Sequence, residues 1–386
     1  MEIRRGRGAH APVTPPRVVV IGHDASGNAL LRALVIADLL EPMVDVRVVA
    51  FGDRVWGPVA SDPRVELLPS PRTTVSLPAA ARRLAAAVRD ADLLVAVKPR
   101  ILSYGLAALV REGRPLLLDI DDLEHRFTRR RMGWLRQLVE PDREPVTRLL
   151  ERWRSPVAAI TVASRALQRR FGGTWMPHIR DRADLARAAS EEGPATRTGL
   201  GLDGTFTVGF VGTVRPHKGL AVLAEAVAGL GEDARLLIAG DPGEPRALAD
   251  LKQRLGRRLV VAGETSLDKI GGVLGACDVV AIPQSRTPEA AHQSPAKLFD
   301  AMAAGRPVVA GDVGDTAELL GGAGILVPPD DPAALAAALG EVREDARLRV
   351  RLSEAGVARM AEAFALEPWR ARMADVIGPL VGSRSS

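Results

Sequence analysis

Short apolar runs alternate along this chain with longer stretches of helical periodicity. Arg17 to Ile21 (RVVVI), Val46 to Ala50 (VRVVA), Val65 to Leu68, Leu93 to Val97, Leu116 to Ile120 and Ala158 to Val162 are short, rich in Val, Leu and Ile, and predict buried strands. Helical patterns lie between them, such as LLRALVIADLL after the GHDASGN turn and Ala79 to Val88. Such alternation makes a parallel, doubly wound sheet, so residues 17–190 are expected to form one α/β domain. Glu191 to Gly204 (EEGPATRTGLGLDG) has no periodicity and reads as a hinge, 191–204. A second series runs through residues 205–367. It comprises strand Thr207 to Val211, a helix from Gly219, strand Leu236 to Ala239, helix Arg246 to Leu255, strand Leu259 to Ala262, a helix led by Ser266, and strands at Val279, Val308 and Ile325. The predicted fold class is α/β: two doubly wound, Rossmann-like parallel-sheet domains facing across a cleft. Residues 1–16 are basic, lack the apolar stretch of a signal peptide and read as a disordered leader.

Residues 278–310 (DVVAIPQSRTPEAAHQSPAKLFDAMAAGRPVVA) read as strand, loop, helix, strand. Ser294 before Pro295 predicts a helix start, with the Ser oxygen capping a free N–H and Pro at the first helical position. Leu298, Phe299 and Met302 give the helix an apolar face, and Gly305 ends it before Pro307. A helix N-terminus at the carboxyl edge of a parallel sheet offers free N–H groups to an anion, so a phosphate-bearing ligand is expected there. The strand Gly209 to Val211 leads into Gly212-Thr213-Val214-Arg215-Pro216-His217-Lys218-Gly219, a loop carrying two cations at a strand end. Arginine as a forked donor and lysine as a point charge suit a diphosphate. Gly22, after the first strand, permits close approach of an anion or sugar, but with Gly27 it does not complete a G-x-G-x-x-G dinucleotide fingerprint.

These segments resemble the donor-binding signature of GT-B glycosyltransferases, in particular the retaining family 4. Members usually carry Glu, seven residues, Glu, then Ala-Met-Ala and Gly-x-Pro-Val-Val; here Ala301, Met302, Ala303, Gly305, Pro307, Val308 and Val309 match, while Asp300 stands at the second acid and His292 at the first. Gly212, Lys218 and Gly219 fit the family's diphosphate motif, with Thr213 where an arginine often stands and Arg215 as its substitute. Gly240, Gly263-Glu264 and Val313-Gly314-Asp315 to Glu318 follow in the family's order. The resemblance implies that Asp300 binds the ribose hydroxyls, that His292 and the backbone near Gln293 touch the donor sugar, and that Arg215, Lys218, Lys297 and the Ser294/Pro295 helix start hold the diphosphate. It places Asp121-Asp122 where the family has a His-Asp pair near the reacting sugar, making Asp121 a catalytic candidate. It also implies that the terminal helix, within 368–386, returns to the N-terminal, acceptor-side domain. The implied activity is sugar transfer with retention from a nucleotide diphosphate donor, UDP or GDP. The altered acid pair points to a nonstandard donor, as in enzymes of antibiotic biosynthesis. A GT-B-like binding or partner subunit without transfer activity is the alternative.

Composition narrows the partners. The chain has 386 residues, 47% apolar, with a formal net charge of +5 and 3% aromatics. That charge is modest for the length and stacking residues are scarce, which argues against nucleic acid. Lysine is confined to Lys98, Lys218, Lys252, Lys269 and Lys297, two of them in the ligand segments. Cys277 is the single cysteine and reads as core. The acids Asp119, Asp121, Asp122 and Glu124 after the fifth strand offer a metal site as a sharper reading, but the transfer scheme requires no metal and no cofactor. No G-x-S-x-G elbow is present. The basic stretch with Arg129 to Arg131, Trp134 and Arg136 reads as a lid beside a small polar acceptor rather than a membrane surface, in a cytoplasmic protein.

Overall fold

The computed structural model describes residues 14–381 apart from 28, 128–139, 242 and 244. The apolar runs form two parallel sheets of seven and six strands. The first contains β1 (Arg17–Gly22), β2 (Asp45–Phe51), β3 (Val65–Leu68), β4 (Leu93–Val97), β5 (Leu116–Ile120), β6 (Ala159–Val162) and β7 (Thr174–Trp175), in the order β3-β2-β1-β4-β5-β6-β7. The second contains β8 (Phe206–Val211), β9 (Ala234–Ala239), β10 (Leu259–Gly263), β11 (Val279–Ile282), β12 (Val308–Gly311) and β13 (Ile325–Val327), in the order β10-β9-β8-β11-β12-β13. The central strands are buried on both faces because helices cover both, as β4, β5 and β11 show with every residue buried.

Strand order reverses between β1 and β4 in one sheet and between β8 and β11 in the other. These reversals leave crevices at the carboxyl ends of the strands, where open α/β sheets bind ligands. Gly22, His23 and Lys98 stand at the first crevice; Gly212 and Gln284 stand at the second.

Residues 191–199, read from sequence as irregular hinge, are instead the end of a helix, Leu185–Gly199, which tolerates Pro194 inside it. Tertiary packing outweighs local propensity there. A Cβ on Gly193 would lie 2.7 Å from the backbone of Gly275, so bare backbone on the helix Ile270–Gly275 receives bare backbone on this one. The last helix, Leu366–Val381, packs on the first domain: Arg370 Nε donates to Asp38 O at 3.0 Å, and Trp369 meets Trp175 edge to face at 5.2 Å. Phe364 also meets Phe299 edge to face at 4.9 Å, so one aromatic cluster joins both domains. Cys277 is buried, as expected of a core residue. Among the described residues no helix is long and apolar enough to cross a membrane. The basic stretch Arg129 to Arg131, Trp134 and Arg136, and residues 1–13 of the leader, lie outside the described residues.

Candidate functional site

Glycines make the second crevice. Gly212 and Gly240 both have φ of 128°, and a Cβ on Gly240 would lie 2.8 Å from the Gly212 backbone. A Cβ on Gly212 would in turn lie 2.8 Å from Lys297 Nζ. The strand ends therefore close together over the Lys297 side-chain nitrogen. Lys297 Nζ sits 3.6 Å from the centroid of the Phe210 ring and, among the described residues, has no hydrogen-bond partner. Burial, with the charge of Lys218 nearby, drives its pKa well below the ordinary lysine value.

The adjoining helix starts one residue later than the sequence predicts. It spans Ala296–Ala303; Pro295 is the cap residue with ψ of 105°, and no side chain caps it. Ser294 is therefore displaced from the capping position, and its Oγ is buried without a hydrogen-bond partner among the described residues. Two buried polar groups thus stand unsatisfied at one helix start, a situation proteins rarely leave unless something else completes it.

Lys218 lies on the loop after β8. Its Nζ donates to Gln293 Oε1 at 2.6 Å, and Gln293 Nε2 donates to Asp122 Oδ1 at 2.7 Å. Burial lowers the Lys218 pKa to about 8, opposed by Asp122 and aided by Arg215. His217 beside it is held neutral, its pKa pushed by burial and then by Lys218, Arg215 and Lys297 to about 3. Arg215 is exposed, and Thr213 is half-buried.

On the facing domain, Asp121 and Asp122 follow β5 as expected, but their partner is a residue the sequence reading did not use. Lys98, at the end of β4 with a φ of 69°, places Nζ 2.8 Å from Asp121 Oδ1, 3.3 Å from Asp122 Oδ2 and 2.7 Å from Glu124 Oε1. Those three carboxylates lie close enough together to hold a cation, and this ammonium already stands against each. Burial disfavours the Lys98 charge, but the carboxylates outweigh it and raise its pKa. Burial raises the Asp121 pKa, against the pull of Lys98. Arg100 adds a 2.6 Å bond to Glu124 Oε2. His23, following Gly22, is held neutral by burial and by Arg100, with its pKa near 3. Asp119, in contrast, is core: Arg32 grips it with two bonds of 2.7 and 2.8 Å, and Thr161 Oγ1 donates to it at 2.7 Å. A position at a strand end was the available signal for Lys98; nothing local names its partners.

The remaining candidates divide. Asp300 is engaged by Arg180 at 2.8 Å and Arg182 at 2.6 Å, both through Oδ1. Burial would raise its pKa, but the two guanidinium groups win and lower it. His292 turns its ring back, with Nδ1 2.8 Å from Pro288 O, while its own carbonyl accepts from Ser164 Oγ at 2.7 Å. Glu264 accepts a hydrogen bond from Trp56 Nε1 across the cleft, and the Gly263 carbonyl accepts from Gly240 N at 2.7 Å. A cavity of about 550 Å³ beside Glu264 is lined by Glu192, Thr265, Ser266 and Lys269. Arg180, Arg182 and Trp56 were not expected from sequence. The structure brings Lys218, Gln293, Asp121 and Asp122 into one network, with Lys297 beside Lys218; Asp300 lies in a separate cluster with its arginines.

Residues 205–345 match the family model described as glycosyl transferases group 1. A D-inositol 3-phosphate glycosyltransferase of Corynebacterium glutamicum (strain R) is 31% identical over 166 residues, covering 40% of this chain and 38% of that relative. A 2-deoxystreptamine glucosyltransferase of Streptomyces kanamyceticus is 34% identical over 204 residues, 51% of this chain and 48% of the relative. The matches thus span half or less of these curated relatives. The Anabaena protein HepE, solved in complex with UDP and glucose, superposes with a TM-score of 0.76 over 94% of this chain and 100% of its own, at 20% identity. That likeness shows the fold, a GT-B arrangement of two Rossmann-like domains.

Proposed function

We propose that this chain, whose residues 205–345 match the glycosyl transferases group 1 model, transfers a sugar from a nucleoside diphosphate donor to a small polar acceptor with retention at the anomeric carbon, as family 4 enzymes do. The observation that carries this reading is the unsatisfied pair at the helix start, Lys297 Nζ and Ser294 Oγ, beneath the Gly212 turn. An anionic diphosphate would supply both with a partner and restore the charge that burial takes from Lys297. Residues 205–367 then hold the donor, and residues 17–190 with the last helix face the acceptor.

In the reaction the bond from the anomeric carbon to the diphosphate oxygen breaks, and a bond to the acceptor hydroxyl oxygen forms on the same face. The acceptor proton passes to the departing diphosphate. Charge grows on the leaving group, so cations and N–H dipoles fixed around it lower the barrier. Lys218, Lys297, the more exposed Arg215 and the N–H groups opening Ala296–Ala303 are the residues assigned to that task. Asp121 is assigned to the sugar end of the cleft on the family pattern. Relatives named for inositol phosphate and 2-deoxystreptamine support a polar cyclitol-like acceptor and a natural-product role. A donor-binding subunit without transfer activity is the second reading, favoured by His292, whose ring is occupied by Pro288 O.

Isothermal titration with UDP and GDP, then donor turnover with and without inositol phosphate or 2-deoxystreptamine, tests both readings. Lys218→Ala and Lys297→Ala are expected each to lower turnover by on the order of 10²-fold, the usual loss of one electrostatic donor. Unchanged nucleotide binding in both variants defeats the diphosphate assignment. Tight binding without any turnover favours the second reading.

A further inference from the structure

Lys218 comes from the loop after β8 and Asp122 from the loop after β5, so they belong to different sheets, and a single amide joins them. Gln293 gives its N–H to Asp122 Oδ1 at 2.7 Å and its oxygen to Lys218 Nζ at 2.6 Å. An amide has one donating and one accepting end, so carboxylate and ammonium fix its orientation between them. Lys98 Nζ braces the other Asp122 oxygen at 3.3 Å. The remaining groups that face Lys218 are Arg215 and His217 on its own loop, Lys297 on the helix Ala296–Ala303 and His178 after β7. All are cationic or neutral. Asp122 is the carboxylate set against them.

We propose that Asp122 and Gln293 are positioning residues: reaching across the cleft, they orient Lys218 Nζ and keep it protonated, so that the first domain governs the charge with which the second grips its nucleotide. The proposal rests on the assignment of Lys218 to the diphosphate. It deepens that assignment by making the lysine's charge depend on closure. With Asp122 withdrawn, Lys218 is left buried near Arg215 with no facing carboxylate to offset it, where the neutral amine is favoured. A nucleotide that needs the ammonium then binds the closed arrangement better, and by linkage its binding favours closure. The lowered Lys218 pKa, about 8, puts the effect in an accessible pH range.

Five lysines in the chain make the test practical. Lysine labelled with ¹³C at Cε gives few signals, and Lys218→Arg identifies the one required. The full chain is titrated from about pH 6 to about pH 10 by NMR, and UDP and GDP affinities are measured by calorimetry over the same range. Asp122→Asn keeps the side-chain shape and an oxygen for Gln293 while removing the charge. It is expected to lower the Lys218 midpoint by about one pH unit, and to lower by as much the pH above which nucleotide affinity falls. Gln293→Met, which keeps the bulk and loses both hydrogen bonds, is expected to lower the midpoint as well, and is read alone if Asp122→Asn does not fold. A purely structural role would weaken binding equally at every pH with the midpoint unmoved, and that result overturns the proposal. Wild-type affinity of Lys218→Ala for both nucleotides would instead overturn the diphosphate assignment beneath it. An unmoved midpoint with Lys218→Ala impaired removes only the role of Asp122 and Gln293.

Discussion

Asp300 shows how a residue's surroundings redirect its meaning. Family resemblance makes it a ribose ligand, yet Arg180 and Arg182 both bond its Oδ1. Removing one member of a buried ion pair leaves the others uncompensated, so Asp300→Asn is expected to cost about 3 kcal/mol, measured by urea unfolding at neutral pH. The pH dependence has a fixed sign. The arginines lower the folded pKa of Asp300 beneath its unfolded value of about 3.9, so its contribution is complete above that value and is lost as pH falls through the folded one. The gap between wild type and variant should therefore hold from neutral pH to about pH 5 and close only in stronger acid. A gap that does not change with acid would refute the arginine clasp. If Asp300 also binds ribose through its second oxygen, calorimetry with UDP or GDP should show the variant weaker by about 1–3 kcal/mol.

At the scale of elements, the helix Leu185–Gly199 exists because of what it touches. Gly193 faces Gly275 and Gly271 faces Ala188, so two helices meet with almost no side chain between them. Glycine to alanine inside a helix normally stabilises by up to about 1 kcal/mol. Here the added methyl would meet backbone at 2.7 Å, which must move. Gly193→Ala is therefore expected to destabilise by about 1–3 kcal/mol, the range for overpacking. A thermal midpoint above that of wild type would show that the contact is not close.

For the whole molecule, the two domains are joined by a covalent helix on one side and by side chains across the cleft on the other. Ser164 to the His292 carbonyl, Arg165 Nε to Glu318 at 3.0 Å, and Gln293 to Asp122 all cross it. The last helix adds an apolar seam, with Trp369 against Trp175 on one domain and near Phe364 and Phe299 on the other. Trp369→Ala is expected to cost about 3–5 kcal/mol by emptying that seam. Because the seam serves both domains, their thermal transitions should also separate. Calorimetry that shows one unbroken transition in the variant would place the coupling elsewhere.

Much of this was written in local pattern. Runs such as Leu93 to Val97 read as buried strands, and the glycines at 212 and 240 stand where strands end in turns of positive φ, because period, branching and φ are properties of a few neighbouring residues. Ser294 before Pro295 located the helix to within one residue but gave the wrong function to the hydroxyl, since the turn of Pro295 moves it off the cap. The charges were another matter. Gln293 and Asp122 are 171 residues apart, and Asp300 and Arg182 are 118 apart. Which cation meets which carboxylate depends on how two sheets bring their carboxyl edges together. Lys98 therefore stood in the sequence only as one lysine among five, and Glu191 to Gly199 as chain without periodicity. Electrostatic partnership and close backbone packing act through space, so only the assembled domains decide them.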